Sequence, residues 1–219
     1  MTRSRYRALP ELRSEYDLRR EPIRARLQEF ASVRTDDLFY ELAYCILTPQ
    51  SSAANADSAV QALRGRGFRQ QGFDPTPVLR RPGSYIRFHN MKAQRLLDVR
   101  AQFADITPRL DAARREPGAE PADSRAVRQW LATTVSGLGM KEASHFLRNI
   151  GFRNLAILDR HILRNLHYHG VLGSVPAAMT TGRYLTIEEQ FRAFADQIGI
   201  PMDELDLLFW SKETGEIRK

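Results

Sequence analysis

Cysteine is almost absent from this chain of 219 residues, with Cys45 the only one. One thiol builds neither a disulfide framework, nor a four-thiolate zinc site, nor an iron–sulfur cluster. Long apolar runs are missing as well, and none approaches the ~20 residues that a membrane span needs. The opening MTRSRYRALPELRSE is basic with no apolar core behind it, so it does not read as a secretory signal. These absences predict an intracellular protein that stays off the membrane. Lysine is the other scarcity. Only four of the 33 basic residues are lysines (Lys92, Lys141, Lys212 and Lys219), and 29 are arginines. Arginine keeps its proton near neutral pH, whereas a desolvated lysine can release it. Each of the four lysines is therefore worth inspecting for chemistry that needs a free amine.

Positive charge is what the chain has in excess. The formal net charge of +7 favours a polyanionic partner, although many basic proteins bind nothing acidic. Hydrophobic content of 42% and charged content of 27% exclude wholesale disorder. The length fits one large domain or two small interleaved ones.

The pattern is helix after helix. A Thr-Asp-Asp cap opens residues 35–48, where Leu38, Phe39, Leu42, Ala43, Ile46 and Leu47 form one stripe that stops at Pro49. Residues 52–63 repeat the pattern and end at Gly65 and Gly67. Thr76-Pro77 starts a short helix, and residues 91–103 are amphipathic through Leu96, Leu97, Val99 and Phe103. REPGAEPAD, residues 115–123, reads as a loop. Further helices are predicted over 123–135, 141–149, 159–167 and 186–198, the last with a Thr186…Glu189 capping box. The arginine-rich residues 13–26 read as a solvated helix face. No convincing period-2 strand or Asn-Gly hairpin appears, so the fold class is all-α.

The informative stretch is VSGLGMKEASHFLRNIG, residues 135–151, a helix end, a Gly-x-Gly turn and a new helix start. Gly137 and Gly139 permit positive φ and bare the backbone N–H groups of the next helix, which suits a DNA phosphate read without sequence preference. A tight αα-hairpin alone explains such a turn equally well. Lys141 makes the difference. A cation in the first turn of a helix opposes the dipole, a poor structural choice that disfavours the ammonium and so favours a nucleophilic amine. Eighteen residues on, Asp159 opens the segment Leu158-Asp159-Arg160-His161-Ile162, where it reads as a helix N-cap or as a functional carboxylate.

Taken together, the Gly-x-Gly hairpin, the following Lys141 and the Asp-x-His-Ile-x-Arg segment closely resemble the helix–hairpin–helix DNA glycosylases. Endonuclease III and its adenine-glycosylase relatives usually carry a four-cysteine cluster, which this chain cannot form. ILTPQS, RFHNMKAQRL, GLGMKEASHFLRNIG, LDRHI and the final WSKETGEIRK are similar to the short 8-oxoguanine DNA glycosylase/lyases of the archaeal-type second class. The resemblance spans nearly the whole chain. Met140 stands where many relatives have proline, and residues 108–123 match least and read as a loop insertion.

That resemblance implies an all-α fold of two helical subdomains with a base-binding cleft between them. Residues 1–34 and 156–219 would form one, and 35–155, with the hairpin at about 123–150, the other. It implies that Lys141 is the nucleophile that expels the base from C1′ and forms a Schiff base, followed by β-elimination, and that Asp159 is the essential carboxylate. An anion lowers the energy of the oxocarbenium character that builds up, and the amine becomes an electron sink. The target base must first leave the duplex. By the same resemblance Gln50 enters the DNA stack and Phe88 and Trp210 flank the flipped base, where core packing is the plainer reading of both aromatics. Lys219, with its α-carboxylate, would help hold the base; otherwise it belongs to a frayed basic tail. The expected partner is duplex DNA carrying 8-oxoguanine or abasic sites, bound by a monomer in the nucleoid of a prokaryotic cytoplasm, with no metal and no cofactor. His161 reads as structural, His145 as packed or hydrogen bonded, and His167 and His169 as surface. Two alternatives stay open: a helix–hairpin–helix module that binds DNA without chemistry, which needs neither Lys141 nor Asp159, and a glycosylase for a different oxidised base.

Overall fold

The computed structural model describes residues 6–114 and 124–217. Among the described residues there is no strand, and the α-helices follow in order as α1 (Leu9–Ala31), α2 (Leu38–Leu47), α3 (Ala53–Gly65), α4 (Phe68–Gln71), α5 (Thr76–Leu79), α6 (His89–Arg114), α7 (Ser124–Thr134), α8 (Met140–Asn149), α9 (Arg160–Tyr168), α10 (Thr181–Ile198) and α11 (Met202–Thr214). The chain gathers into two compact units, Met1–Ala31 with Arg153–Lys219, and Ser32–Phe152.

In the first unit, α1 packs on α11, which also contacts α9 and α10. Leu12, Tyr16, Ile23, Leu27 and Phe30 put the buried stripe of α1 at helical spacing. Its arginines are not simply solvated. Arg13 donates to the Ile198 carbonyl at 2.9 Å, Arg19 to Ser211 at 3.1 Å, and Arg24 to Glu204 at 3.2 Å. The start of α10 corrects a sequence expectation. Thr180 caps it by accepting from Arg183 N–H, while the Thr186 hydroxyl, one and a half turns inside, bonds back to the Gly182 carbonyl. Two threonines compete for the cap, and the one followed by Tyr184 and Ile187 wins because those side chains are then buried.

In the second unit, α2 is the hub, in contact with α3, α6 and α8. All ten of its residues are buried, not only the apolar stripe. Glu41 is among them, with the Asn149 amide 3.5 Å from its Oε2. The expected Thr-Asp-Asp cap is instead a single 3-10 turn, Thr35–Asp37, and α6 runs eleven residues beyond the predicted end at Phe103. Pro108 removes one helical N–H, yet Ile106 before it and Leu110 after it are both buried, and the Thr107 hydroxyl donates to the Phe103 carbonyl at 2.8 Å. Apolar burial of about 2 kcal/mol per side chain competes with the ~3 kcal/mol cost of an interior proline. Residues 108–114 are thus helical, not loop, and the loop expected over 115–123 lies outside the described residues.

Candidate active site

The helix–hairpin–helix is α7, the turn 135–139, and α8, two helices in close mutual contact. Arg128 donates to Ser144 Oγ between them at 3.2 Å, and Ala143, Phe146 and Leu147 of α8 are fully buried. Positive φ is required only at Gly137 (φ +90°), where a Cβ would also lie 2.5 Å from Arg95 Cδ. Gly139 has extended backbone, which any residue adopts. Its use is different. It is the N-cap of α8 and contributes no side-chain cap hydrogen bond, so the first N–H groups of α8 stay open toward an anion. Lys141 is the second residue of α8, its side chain 31% exposed and its Nζ 3.2 Å from Glu142 Oε1. Glu142 sits well in a first turn, where the dipole favours an anion. His145 is packed edge-on against Tyr44, with ring centres 5.8 Å apart.

A second lysine organises the surface of the same unit. Lys92 is 1% exposed and takes an inward position on α6 with Leu96, Val99 and Phe103. Its ammonium donates to the carbonyls of Leu47 at 2.7 Å and Pro49 at 2.6 Å, and to Ser51 Oγ at 3.2 Å. Gln50 lies inside that turn, exposed and with φ +57°. Ser51 Oγ also accepts the Arg87 N–H at 3.0 Å, and the next residue, Phe88, has φ +59° and is 44% exposed. Burial, with repulsion from Arg95 and Lys141, pulls the Lys92 ammonium down from 10.5 to about 8.

Below about pH 8 the amine is charged in both folded and unfolded chains and the full burial penalty is present. Above it the folded chain releases the proton first, so this group's contribution to stability rises with pH until the unfolded chain titrates as well. Between pH 8 and 10.5 the stability of wild type relative to Lys92→Met is expected to rise by roughly 3 kcal/mol, read by denaturant unfolding. A difference that is flat with pH would place the ammonium in water.

In the first unit, Asp159 is the N-cap of α9, and its Oδ1 accepts both His161 N–H at 2.8 Å and Ile162 N–H at 2.9 Å. It is half-buried. The chain leading to it is irregular, and side chains take up several of its N–H groups. Asp203 accepts from Asn154 at 2.9 Å, Glu188 from Ala156 at 2.8 Å, and Asp206 from Ile157 at 3.2 Å. Tyr184 donates to the Ala156 carbonyl at 2.5 Å. Each of these supporting side chains is buried. An unsatisfied buried N–H costs about 1–3 kcal/mol, so the network fixes the path of the backbone into Asp159. Sequence reasoning missed it, although the signal was present: Asp203, Glu204 and Asp206 interrupt an otherwise apolar helix. Lys92 stood out only as one of four scarce lysines, and its place on the inward stripe of α6 was the further signal.

Trp210 is half-buried on α11. His161 Nδ1 lies 3.3 Å from Glu213 Oε2. His169 is not at the surface as expected, being 1% exposed, stacked between Phe194 and Phe209, and bonded through Nδ1 to the Arg7 carbonyl. Lys219 lies outside the described residues. Gln50, Phe88, Gly137, Gly139 and Lys141 thus belong to one unit, and Asp159 and Trp210 to the other.

The chain is similar to known proteins over nearly its whole length. The chain is 39% identical over 199 residues to the 8-oxoguanine DNA glycosylase/AP lyase of Fusobacterium nucleatum, covering 89% of each chain. It is 36% identical over 201 residues to the protein of that name from Korarchaeum cryptofilum, covering 91% of each. The crystal structure of the 8-oxoguanine DNA glycosylase of Thermotoga maritima superposes with a TM-score of 0.82 at 30% identity, over 96% of this chain and 98% of that one. The Methanocaldococcus jannaschii 8-oxoguanine glycosylase/lyase, solved in complex with a 15mer DNA containing 8-oxoguanine, gives 0.79 at 28% identity, over 95% of this chain and 100% of that one. The sequence model described as 8-oxoguanine DNA glycosylase matches residues 23–200, and with these relatives it shows that the chain belongs to the 8-oxoguanine DNA glycosylase family.

Proposed function

We propose that the protein is a base-excision repair enzyme that removes 8-oxoguanine from duplex DNA and then nicks the strand, acting as a monomer. The observation that carries this reading is the placement of Lys141 at the uncapped N-terminus of α8 behind a backbone-exposing turn, in a chain of this family. The bacterial and archaeal relatives support a prokaryotic nucleoid as its setting. The open N–H groups at Gly139 and the turn at Gly137 hold a phosphate of the damaged strand. Lys141 Nζ attacks C1′ with its lone pair, and the bond from C1′ to the base breaks. The base leaves as its anion and takes up a proton. Opening of the sugar ring then gives an iminium, and loss of a C2′ proton expels the 3′ phosphate. Asp159, through the oxygen not engaged in capping, stabilises the positive charge that develops on the sugar. Gln50 fills the gap in the stack, and Phe88 and Trp210 flank the extruded base.

Lys219 contacts that base in this reading, and the test follows from it. Duplexes carrying single defined lesions opposite cytosine are incubated with the protein, with borohydride added to capture an imine. Covalent adducts are expected with 8-oxoguanine, and a protein that binds these duplexes without release or trapping would be a binding module instead. Deleting Lys219, or extending the chain past it, is expected to slow 8-oxoguanine excision roughly a hundredfold, since a lost polar contact to a buried base is worth ~1–3 kcal/mol. Cleavage at a preformed abasic site, which offers no base, is expected to stay near the wild-type rate. Equal excision by the truncated and native proteins would make Lys219 a tail.

A further inference from the structure

Lys92 carries more than the end of a helix. The turn after α2 is exposed at Gln50 while Leu47 beside it is fully buried, and an ordinary helix end does not bury an ammonium to satisfy its carbonyls. All three of its bonds go to neutral oxygens, and the charges that act on it, Arg95 and Lys141, are of its own sign. The arrangement is expensive in desolvation and has no ion-pair return. What it achieves is a junction. Ser51 Oγ joins the Lys92 ammonium to the Arg87 N–H, the Lys92 N–H bonds the Phe88 carbonyl at 3.0 Å, and the Asn55 amide bonds the Tyr85 carbonyl at 3.0 Å. The Lys92 side chain thereby holds the first turn directly and meets the second through Ser51 Oγ, while the backbone bond to Phe88 is the ordinary first bond of α6. Each turn presents a non-glycine residue with left-handed backbone, Gln50 and Phe88, and the other such residues among those described are Ala8 and Asn154. Left-handed backbone at a residue with a Cβ persists only where its surroundings impose it.

We infer that Lys92 is a positioning residue for base extrusion, its Nζ fixing the two turns that present Gln50 and Phe88 so that both side chains meet the DNA at once. The inference rests on the roles given above to those two residues. A stiff pair of turns keeps the amide and the ring pointing outward before DNA arrives, so no ordering is left for the binding step.

The experiment compares three readouts in Lys92→Met: single-turnover release of 8-oxoguanine from duplex, fluorescence of a 2-aminopurine beside the lesion as the base leaves the stack, and borohydride trapping on a single-stranded abasic oligonucleotide. Excision and the fluorescence rise are expected to slow together by roughly ten- to a hundredfold, the scale of a mispositioned contact, with single-strand trapping within about threefold of wild type. Ser51→Ala cuts only the shared oxygen and is expected to give the same split at about threefold, and it carries the test where Lys92→Met does not fold. A folded Lys92→Met with wild-type extrusion would overturn the inference and leave Lys92 a helix cap. Equal losses in all three readouts would overturn it too, since they mean general damage to the unit. Gln50→Ala and Phe88→Ala separate the two layers. If neither alters the fluorescence rise, the roles of those residues fail and Lys92 falls with them. If both do while Lys92 and Ser51 do not, only the positioning role fails.

Discussion

Lys141→Gln should form no borohydride-trapped adduct with 8-oxoguanine duplexes or abasic sites, while its affinity for duplex DNA stays within a few-fold of wild type. Glutamine is one bond shorter than lysine but keeps a hydrogen-bond donor on the same face of α8. The ion pair it replaces is partly exposed, 31% at Lys141 and 17% at Glu142, and pairs of that kind contribute about 0–1 kcal/mol. Folding should therefore be nearly unaffected. Loss of one phosphate-facing cation would lower the slope of log affinity against log salt by about 0.9 at most. What disappears is the lone pair, because an amide nitrogen does not attack C1′ and cannot form an iminium. Gel analysis of trapped complexes reads the outcome directly. Trapping that survives in a folded Lys141→Gln protein would move the nucleophile to another amine and remove the basis for the proposed chemistry.

Asp159→Asn should slow base release by two orders of magnitude or more, the scale seen when one electrostatic contact to a developing charge is removed (about 10²–10³-fold). The structure turns this into a clean experiment. Asp159 caps α9 through one oxygen, which accepts from His161 and Ile162, and asparagine caps a helix about as well as aspartate. Asn therefore keeps the cap and loses the charge. Asp159→Ala loses both and should also drop in stability by ~1 kcal/mol. Single-turnover kinetics and melting, measured on both variants, separate the two roles. Base release by Asp159→Asn at near the wild-type rate would reduce Asp159 to a helix cap, and the stabilising charge would have to come from elsewhere.

Both residues were legible in the sequence because their signals are local. Lysine just behind a Gly-x-Gly turn contradicts helix electrostatics, and an aspartate before an apolar-periodic run is a cap whatever else it does. Periodicity over ten or so residues likewise placed α3, α7, α8 and α9 to within a residue or two, since a helix of that length has to bury one face. Locality also explains the failures. Thr186 carries the letters of a capping box, yet the helix begins at Thr181 because Tyr184 and Ile187 are buried in the unit. The helix predicted to end at Phe103 runs on to Arg114, with Ile106 and Leu110 buried beyond the predicted end.

What the sequence determined by itself, then, was the helical class and the hairpin, because each depends on neighbours within one or two turns, and it marked Lys141 and Asp159 as candidates for chemistry. Only tertiary structure decided what holds them. The carboxylates that take up the backbone N–H groups before Asp159 come from 32 to 49 residues further along the chain. The carbonyls that receive the Lys92 ammonium lie 43 and 45 residues before it. Burial makes those partners obligatory, since a polar group out of water must find a mate inside the protein. Which mate it finds depends on which helices pack together, and no window of sequence contains that.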